Sequence, residues 1–227
     1  WVQRGDRITG VVTTNGVLSS QNIVVCAGGW TRQLLQNVNL SIRQYFTHSE
    51  SIEGFCSHVQ LKTLVMPATM QRIILEAEAS TPPYYPSWDT LGQEILPHIL
   101  DAGVIQFKNG LIRMGQISRV LPDPAAKISA AHGEQEIRTQ IGHILPSLKT
   151  MKGQWHHCLV AFTGDGLPLI GPLAQLQGLY LFSGFSSPFA LVPSLAQRFA
   201  VHLIGGQSDA AIEQMTPERP SLVMPRD

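Results

Sequence analysis

Two stretches constrain the fold more than any others: Thr163-Gly-Asp-Gly-Leu-Pro-Leu-Ile-Gly-Pro172 and Leu179-Tyr-Leu-Phe-Ser-Gly-Phe-Ser-Ser-Pro-Phe-Ala-Leu-Val-Pro193. Together they read as strand, turn, second strand, and then a glycine loop that opens a helix. A similar pattern occurs early in the chain. Gln21–Ala27 is a short, strongly apolar strand that runs into Gly28-Gly29-Trp30-Thr31, with Leu34, Leu35 and Val38 at helical spacing behind it. An apolar strand that ends in glycines and feeds a helix suits a sheet covered on both faces, with a ligand at its C-terminal edge. Glycine lets a ligand approach the backbone. A helix start, here near Phe189, offers unpaired N–H groups and partial positive charge. On spacing alone, glycines that merely close tight turns are the better explanation of these loops.

The remaining pattern divides the chain. Arg7–Thr14 reads as a strand and Asn15-Gly16 as a two-residue hairpin turn. From about Leu40 to Leu121 the polarity is mixed. Leu61–Met66 and Arg72–Ala77 alternate, Thr81–Pro86 is turn-rich, and Gly103–Met114 suggests a hairpin about Asn109-Gly110. This region is expected to be a mainly antiparallel sheet. Lys127–Leu145 reads as an amphipathic helix stopped by Pro146, and Phe189–Ile204 as a helix ending at Gly205-Gly206. The expected fold class is α/β (α+β): residues 1–35 and 146–227 form one domain, and 36–145 an inserted antiparallel-sheet domain.

Lys+Arg and Asp+Glu both number 16, so no global field favours nucleic acid or an anionic surface. The most apolar region, Leu179–Gly206, is interrupted by Gly184, Pro188, Pro193, Arg198 and His202, so no membrane span is expected. Cys26, Cys56 and Cys158 are odd in number and widely spaced, which is no disulfide framework and points to a reducing interior, cytoplasmic by default. The chain starts at Trp1 rather than Met, and an upstream part is expected to be missing.

Taken in order, these segments resemble the D-amino-acid oxidase / sarcosine (glycine) oxidase family of FAD enzymes. The resemblance rests on Ile8–Gly16 with Ile23–Trp30, on Trp155 followed by Thr163–Gly171, on Leu179–Ser186 with Pro193, and on Glu218-Arg219-Pro220. It implies the C-terminal portion of an FAD-dependent enzyme, with a residual Rossmann-like FAD-binding domain and an inserted substrate domain. It also implies oxidation of a small amine or amino acid by hydride transfer to the flavin. Ala27, Gly28, Gly29 and Trp30 would line the FAD site, and Gly184, Phe185, Ser186, Ser187 and Phe189 would pass beside the flavin ring. Cys158 matches a cysteine that bonds the flavin covalently in sarcosine-oxidase-like members; a buried small residue is the other reading. Arg113 matches a lysine that assists oxygen reduction, and the other reading is a surface arginine on an edge strand.

The sequence also departs from the family. The dinucleotide fingerprint GxGxxG is absent, so the missing N-terminal FAD-binding half must come from the same chain or another subunit. Gly184–Phe189 is one residue shorter than the family loop, and Pro188 cannot donate a backbone hydrogen bond. No arginine lies between Trp155 and Gly171 to clamp a substrate carboxylate. The alternatives are a subunit of a heteromeric FAD dehydrogenase, or a non-catalytic truncated relic. His156 and His157, and the loose group His48, Cys56 and His58, lack metal-ligand spacing. They are expected to be ordinary hydrogen-bonded residues. Tyr84 and Tyr85 are expected in a packed turn or a lid, and Asp165 is expected to fix the turn after Thr163.

Overall fold

The first hairpin turns one residue earlier than Asn15-Gly16: Thr14-Asn15 form the turn, and Gly16 pairs with Thr13 at φ +113°, a left-handed value open to glycine. In the computed structural model, which describes residues 1–205 and 208–222, the chain opens with β1 (Val2–Arg4), β2 (Arg7–Thr13), β3 (Gly16–Ser19) and β4 (Ile23–Val25). A single 3-10 turn at Gly28–Trp30 leads into α1 (Thr31–Gln36), and β5 (Gln44–Phe55) follows. Next come α2 (Gln71–Ala79), a 3-10 segment at Pro82–Asp89, β6 (Ile99–Gln106) and β7 (Leu111–Arg119). The rest comprises α3 (Ala130–Ile144), β8 (Gly153–Thr163), β9 (Leu169–Pro172), β10 (Leu179–Ser183), α4 (Pro188–Gly205) and α5 (Ala210–Gln214).

The chain divides into two units, one of residues 1–45 and 161–227 and the other of residues 46–160. The inner unit thus starts and ends later than 36–145, because the divisions fall inside the continuous strands β5 and β8.

In the first unit, β1, β2 and β3 form an antiparallel sheet. A second sheet has the order β4-β10-β9, with β10 parallel to β4 and antiparallel to β9. Alternation along β10 divides its residues between two cores. Leu179 and Leu181 pack with Ile8, Val25 and Leu35, whereas Tyr180 and Phe182 pack with Leu195, Phe199 and Ile212. Both faces are covered, which is why β4 is apolar throughout and β10 carries a polar side chain other than Tyr180 only at its end, Ser183.

In the second unit the sheet order is β6-β7-β5-β8, and β7 pairs antiparallel with both β5 and β6. Ile52, Ile112, Met114, Ile117, Ile137 and Ile141, all buried, join this sheet to α3. The β6–β7 hairpin turns at Asn109-Gly110 as expected, with Gly110 at φ +86°. Two expected strands are corrected. Arg72–Ala77 lies within helix α2, and Leu61–Met66 makes only the isolated bridge Val65–Val104. Helix wins at Gln71–Ala79 because its start is capped from a distance: the Asp101 carboxylate accepts the N–H groups of Gln71 (2.9 Å) and Arg72 (3.0 Å). The neighbouring sequence carries no such cap.

Candidate functional site

Because β4 and β10 run parallel, their C-terminal ends emerge side by side, and each ends in a glycine loop. Gly28 (φ +52°) and Gly184 (φ +78°) both require the left-handed conformation. Side chains tie the loops together. Ser183 Oγ lies 2.8 Å from Thr31 Oγ1 and 3.5 Å from the Gly28 carbonyl. Gln44 Nε2 donates to the same carbonyl at 2.7 Å. A Cβ on Gly28 would meet nothing within 4 Å, so one side of that loop is open. Trp30 is 44% and Phe189 98% exposed, leaving aromatic surface uncovered at both loops. Phe185 turns inward, its ring 4.8 Å from that of Phe182. Ser186 and Ser187 complete the turn into α4 at Pro188. The structure therefore brings Ala27, Gly28, Gly29 and Trp30 to the same sheet edge as Gly184, Phe185, Ser186, Ser187 and Phe189.

The turn after Thr163 is held by a buried clamp. Asp165 Oδ1 accepts from the Leu167 N–H, as expected, and both its oxygens accept from Arg219 (2.6 and 2.7 Å). Ser221 donates a further short bond at 2.5 Å. Arg219 also donates to the carbonyls of Leu167, Pro168, Met215 and Thr216. Burial opposes ionisation of Asp165, but the donors from Arg219, Ser221 and Leu167 outweigh it and hold the carboxyl well below its usual range. The Glu218-Arg219-Pro220 motif thus has a structural task, which is to fasten the C-terminal segment to the strand turn.

Arg113 and Cys158 belong to the second unit. Arg113, on β7, stands opposite Glu53 on β5 and forms a two-armed ion pair with it. Its guanidinium lies over the Phe107 ring, 5.6 Å from the centroid. Glu53 also approaches His156 Nε2 at 3.5 Å. Cys158 is an exposed free thiol two residues beyond His156, on the same side of β8 by strand alternation.

The opposite side of that sheet holds a polar network that sequence reading missed. Glu50 is fully buried and accepts from Arg119 Nε (2.7 Å) and Trp155 Nε1 (3.1 Å). Arg119 also donates to Glu94 (2.8 Å) and His98 Nδ1 (2.7 Å), and His98 Nε2 meets Glu136 at 3.1 Å. His48, equally buried, has Nε2 3.0 Å from the Asp123 carbonyl and Nδ1 2.8 Å from His157 Nε2. A carbonyl only accepts, so His48 is protonated on Nε2 and His157 donates to its Nδ1. Burial first, and then the neighbouring His157, lowers the pKa of His48 to about 4; burial also lowers that of His157. Cys56 packs in the core of the second unit, with its Sγ 3.4 Å from His58 Nε2, and His48 makes its hydrogen bonds elsewhere, to His157 and Asp123.

Comparison with known proteins places this geometry. The chain is 23% identical over 205 residues to a glycine oxidase of Pseudomonas aeruginosa, covering 88% of this chain and 46% of that protein. It is 24% identical over 210 residues to a glycine oxidase of Pseudomonas putida, covering 91% and 48%. Among solved structures, glycine oxidase from Geobacillus kaustophilus matches with a TM-score of 0.65 at 17% identity, over 92% of this chain and 48% of that one. L-proline dehydrogenase from P. horikoshii matches with a TM-score of 0.63 at 18% identity, over 96% and 52%. The chain spans about half the length of the curated relatives it matches. These likenesses show a shared fold. The family model for FAD dependent oxidoreductase, DAO, matches residues 2–200, and the chain belongs to that family.

Proposed function

We propose that this chain is the C-terminal portion of an FAD-dependent oxidoreductase that oxidises an amine or amino acid. The observation that carries the reading is the pairing of β4 with β10, which sets the Gly28 and Gly184 loops at one sheet edge. When bound, FAD supplies the chemistry by accepting hydride from a substrate C–H. The residues present fit part of that cofactor. Gly28 leaves its side of the loop open, Trp30 presents exposed aromatic surface, and Ser186 and Ser187 lie at the turn into a long helix. Glycine and L-proline, named for the relatives and neighbours, and iminodiacetate, named for another neighbour at TM-score 0.63, support a small amino acid or related amine as substrate. Cys158 as a covalent attachment point and Arg113 as a cation acting on the flavin rest on sequence resemblance alone.

No GxGxxG run occurs in the chain, so the pyrophosphate-holding half must be supplied elsewhere, by the same polypeptide or by another subunit. The outer side of α4 supports this: Phe189 is 98%, Ile204 88% and Val201 51% exposed, on a helix that buries only Leu195 and Phe199. Among the described residues, no helix is long and apolar enough to cross a membrane. Purification from the natural source, with flavin absorbance followed through denaturation, tests the reading. The expected result is bound FAD. Flavin that stays with the denatured polypeptide and leaves it in Cys158→Ser would place the covalent bond at Cys158.

A further inference from the structure

Gln44 is absent from every motif, yet it sits where the two glycine loops meet. Its side chain is fully buried. One end is fixed by the 2.7 Å bond from Nε2 to the Gly28 carbonyl, which settles which end of the amide is nitrogen. The other end, Oε1, is buried and has no hydrogen-bond partner among the described residues. It lies beside Gly184, 3.6 Å from where a Cβ at that position would stand. A buried acceptor left unpaired costs about 1–3 kcal/mol, and native proteins seldom leave one so. The two hydroxyls at these loops are satisfied. Thr31 and Ser183 bond each other, and Ser183 also reaches the Gly28 carbonyl. Gln44 Oε1 is the buried side-chain acceptor left without a partner there, among the described residues.

We propose that Gln44 is a positioning residue of the ligand site, one whose own hydrogen bonding is completed only when the ligand is seated. Its amide nitrogen holds the Gly28 loop. Its carbonyl takes a hydrogen-bond donor that arrives with the ligand, for which the hydroxyl groups and ring N–H of FAD are suitable. This rests on the functional reading above. It adds a residue that spans both loops and makes cofactor affinity depend on the amide at position 44.

The test is FAD affinity, read from flavin fluorescence on titration of the apoprotein of the longest natural polypeptide or complex containing this chain. Gln44→Met keeps the approximate volume and removes both polar ends. The expected result is at least tenfold weaker FAD binding, the loss that about 1.4 kcal/mol produces. Gln44→Glu provides a readout that simple destabilisation would not move. A protonated carboxyl can donate to the Gly28 carbonyl and still present an acceptor, whereas a carboxylate cannot donate. Its affinity should therefore climb toward wild type as pH falls, while that of Gln44→Met stays low. Should Gln44→Met fail to fold, the pH response of Gln44→Glu decides alone. FAD binding by Gln44→Met within twofold of wild type, or a flat pH response in Gln44→Glu, would overturn the inference and leave the functional reading standing. Absence of FAD binding by the wild type would overturn both.

Discussion

The two units bury polar groups in opposite ways. The first keeps the buried strands β4 and β10 apolar along their middles and places polar side chains at strand ends: Thr31, Ser183 and Gln44 at the glycine loops, and Asp165 with Arg219 at the turn after β8. The second runs buried polar residues along a strand, with Thr47, His48, Ser49 and Glu50 on β5 all buried. Strand ends are where backbone groups lack ladder partners, so polar groups there also build a ligand edge. A mid-strand network has no such outlet and must satisfy itself. The first arrangement reads as a site, the second as an internal framework with an ionisation state to protect.

The comparison can be broken most forcefully at the clamp of the first unit. Arg219→Ala removes two bonds to Asp165 and four to carbonyls, and leaves the partly exposed Asp165 carboxylate without its cation. The expected loss in denaturant unfolding is about 3 kcal/mol or more, from hydrogen bonds that contribute about 0.5–1.5 kcal/mol each. A loss below about 1 kcal/mol would show that the C-terminal motif does not fasten this unit.

Acid should separate the units. His48 has its pKa lowered from 6.5 to about 4 in the folded state. The unfolded chain then binds more protons between these values, so the contribution of His48 is fully present above about pH 6.5 and is lost as pH falls toward 4. The loss is about 3 kcal/mol for a shift of this size. Asp165, lowered from 3.8, keeps its contribution until pH falls below that value. Hydrogen exchange at pH 5 should therefore show β5 and β8 near His48 and His157 loosening before the Asp165 turn. The reverse order would contradict the assignment of the neutral histidine pair.

A smaller effect is expected at Gly133 on α3. A Cβ there would collide with the Glu50 carboxylate and come within 3.1 Å of Trp155 Nε1. Gly133→Ala should cost about 1–3 kcal/mol despite alanine's better helix propensity. A gain in thermal stability would mean that α3 does not press on the network. The smallest effect belongs to Arg113→Ala. Its pair with Glu53 is half exposed, and its stability cost should stay under about 1 kcal/mol. A large change in flavin oxidation rate with so small a cost would mark Arg113 as functional.

What could be read in the sequence follows from the same contrast. Hairpins near Asn15-Gly16 and at Asn109-Gly110 are legible because the turn chemistry is local. The glycine loops are legible because an apolar strand ending in glycine demands a covered sheet and an open edge. β5 is illegible: His48, Ser49 and Glu50 look like surface residues until Arg119, Trp155 and His157 arrive from distant parts of the chain. α2 is misread because its cap, Asp101, lies thirty residues on from Gln71. Gln44 carries no signal at all, since a single glutamine at the start of a strand acquires meaning only when Gly28 and Gly184 converge on it.

The central claim is that the paired glycine loops are the C-terminal share of an FAD site. The most direct test is native mass with flavin absorbance on the protein purified from its natural source. The account predicts a flavin-bearing species larger than this chain's 24.9 kDa, because the pyrophosphate-holding half travels with it. A species of that mass alone, with no flavin and no uptake of added FAD, would contradict it.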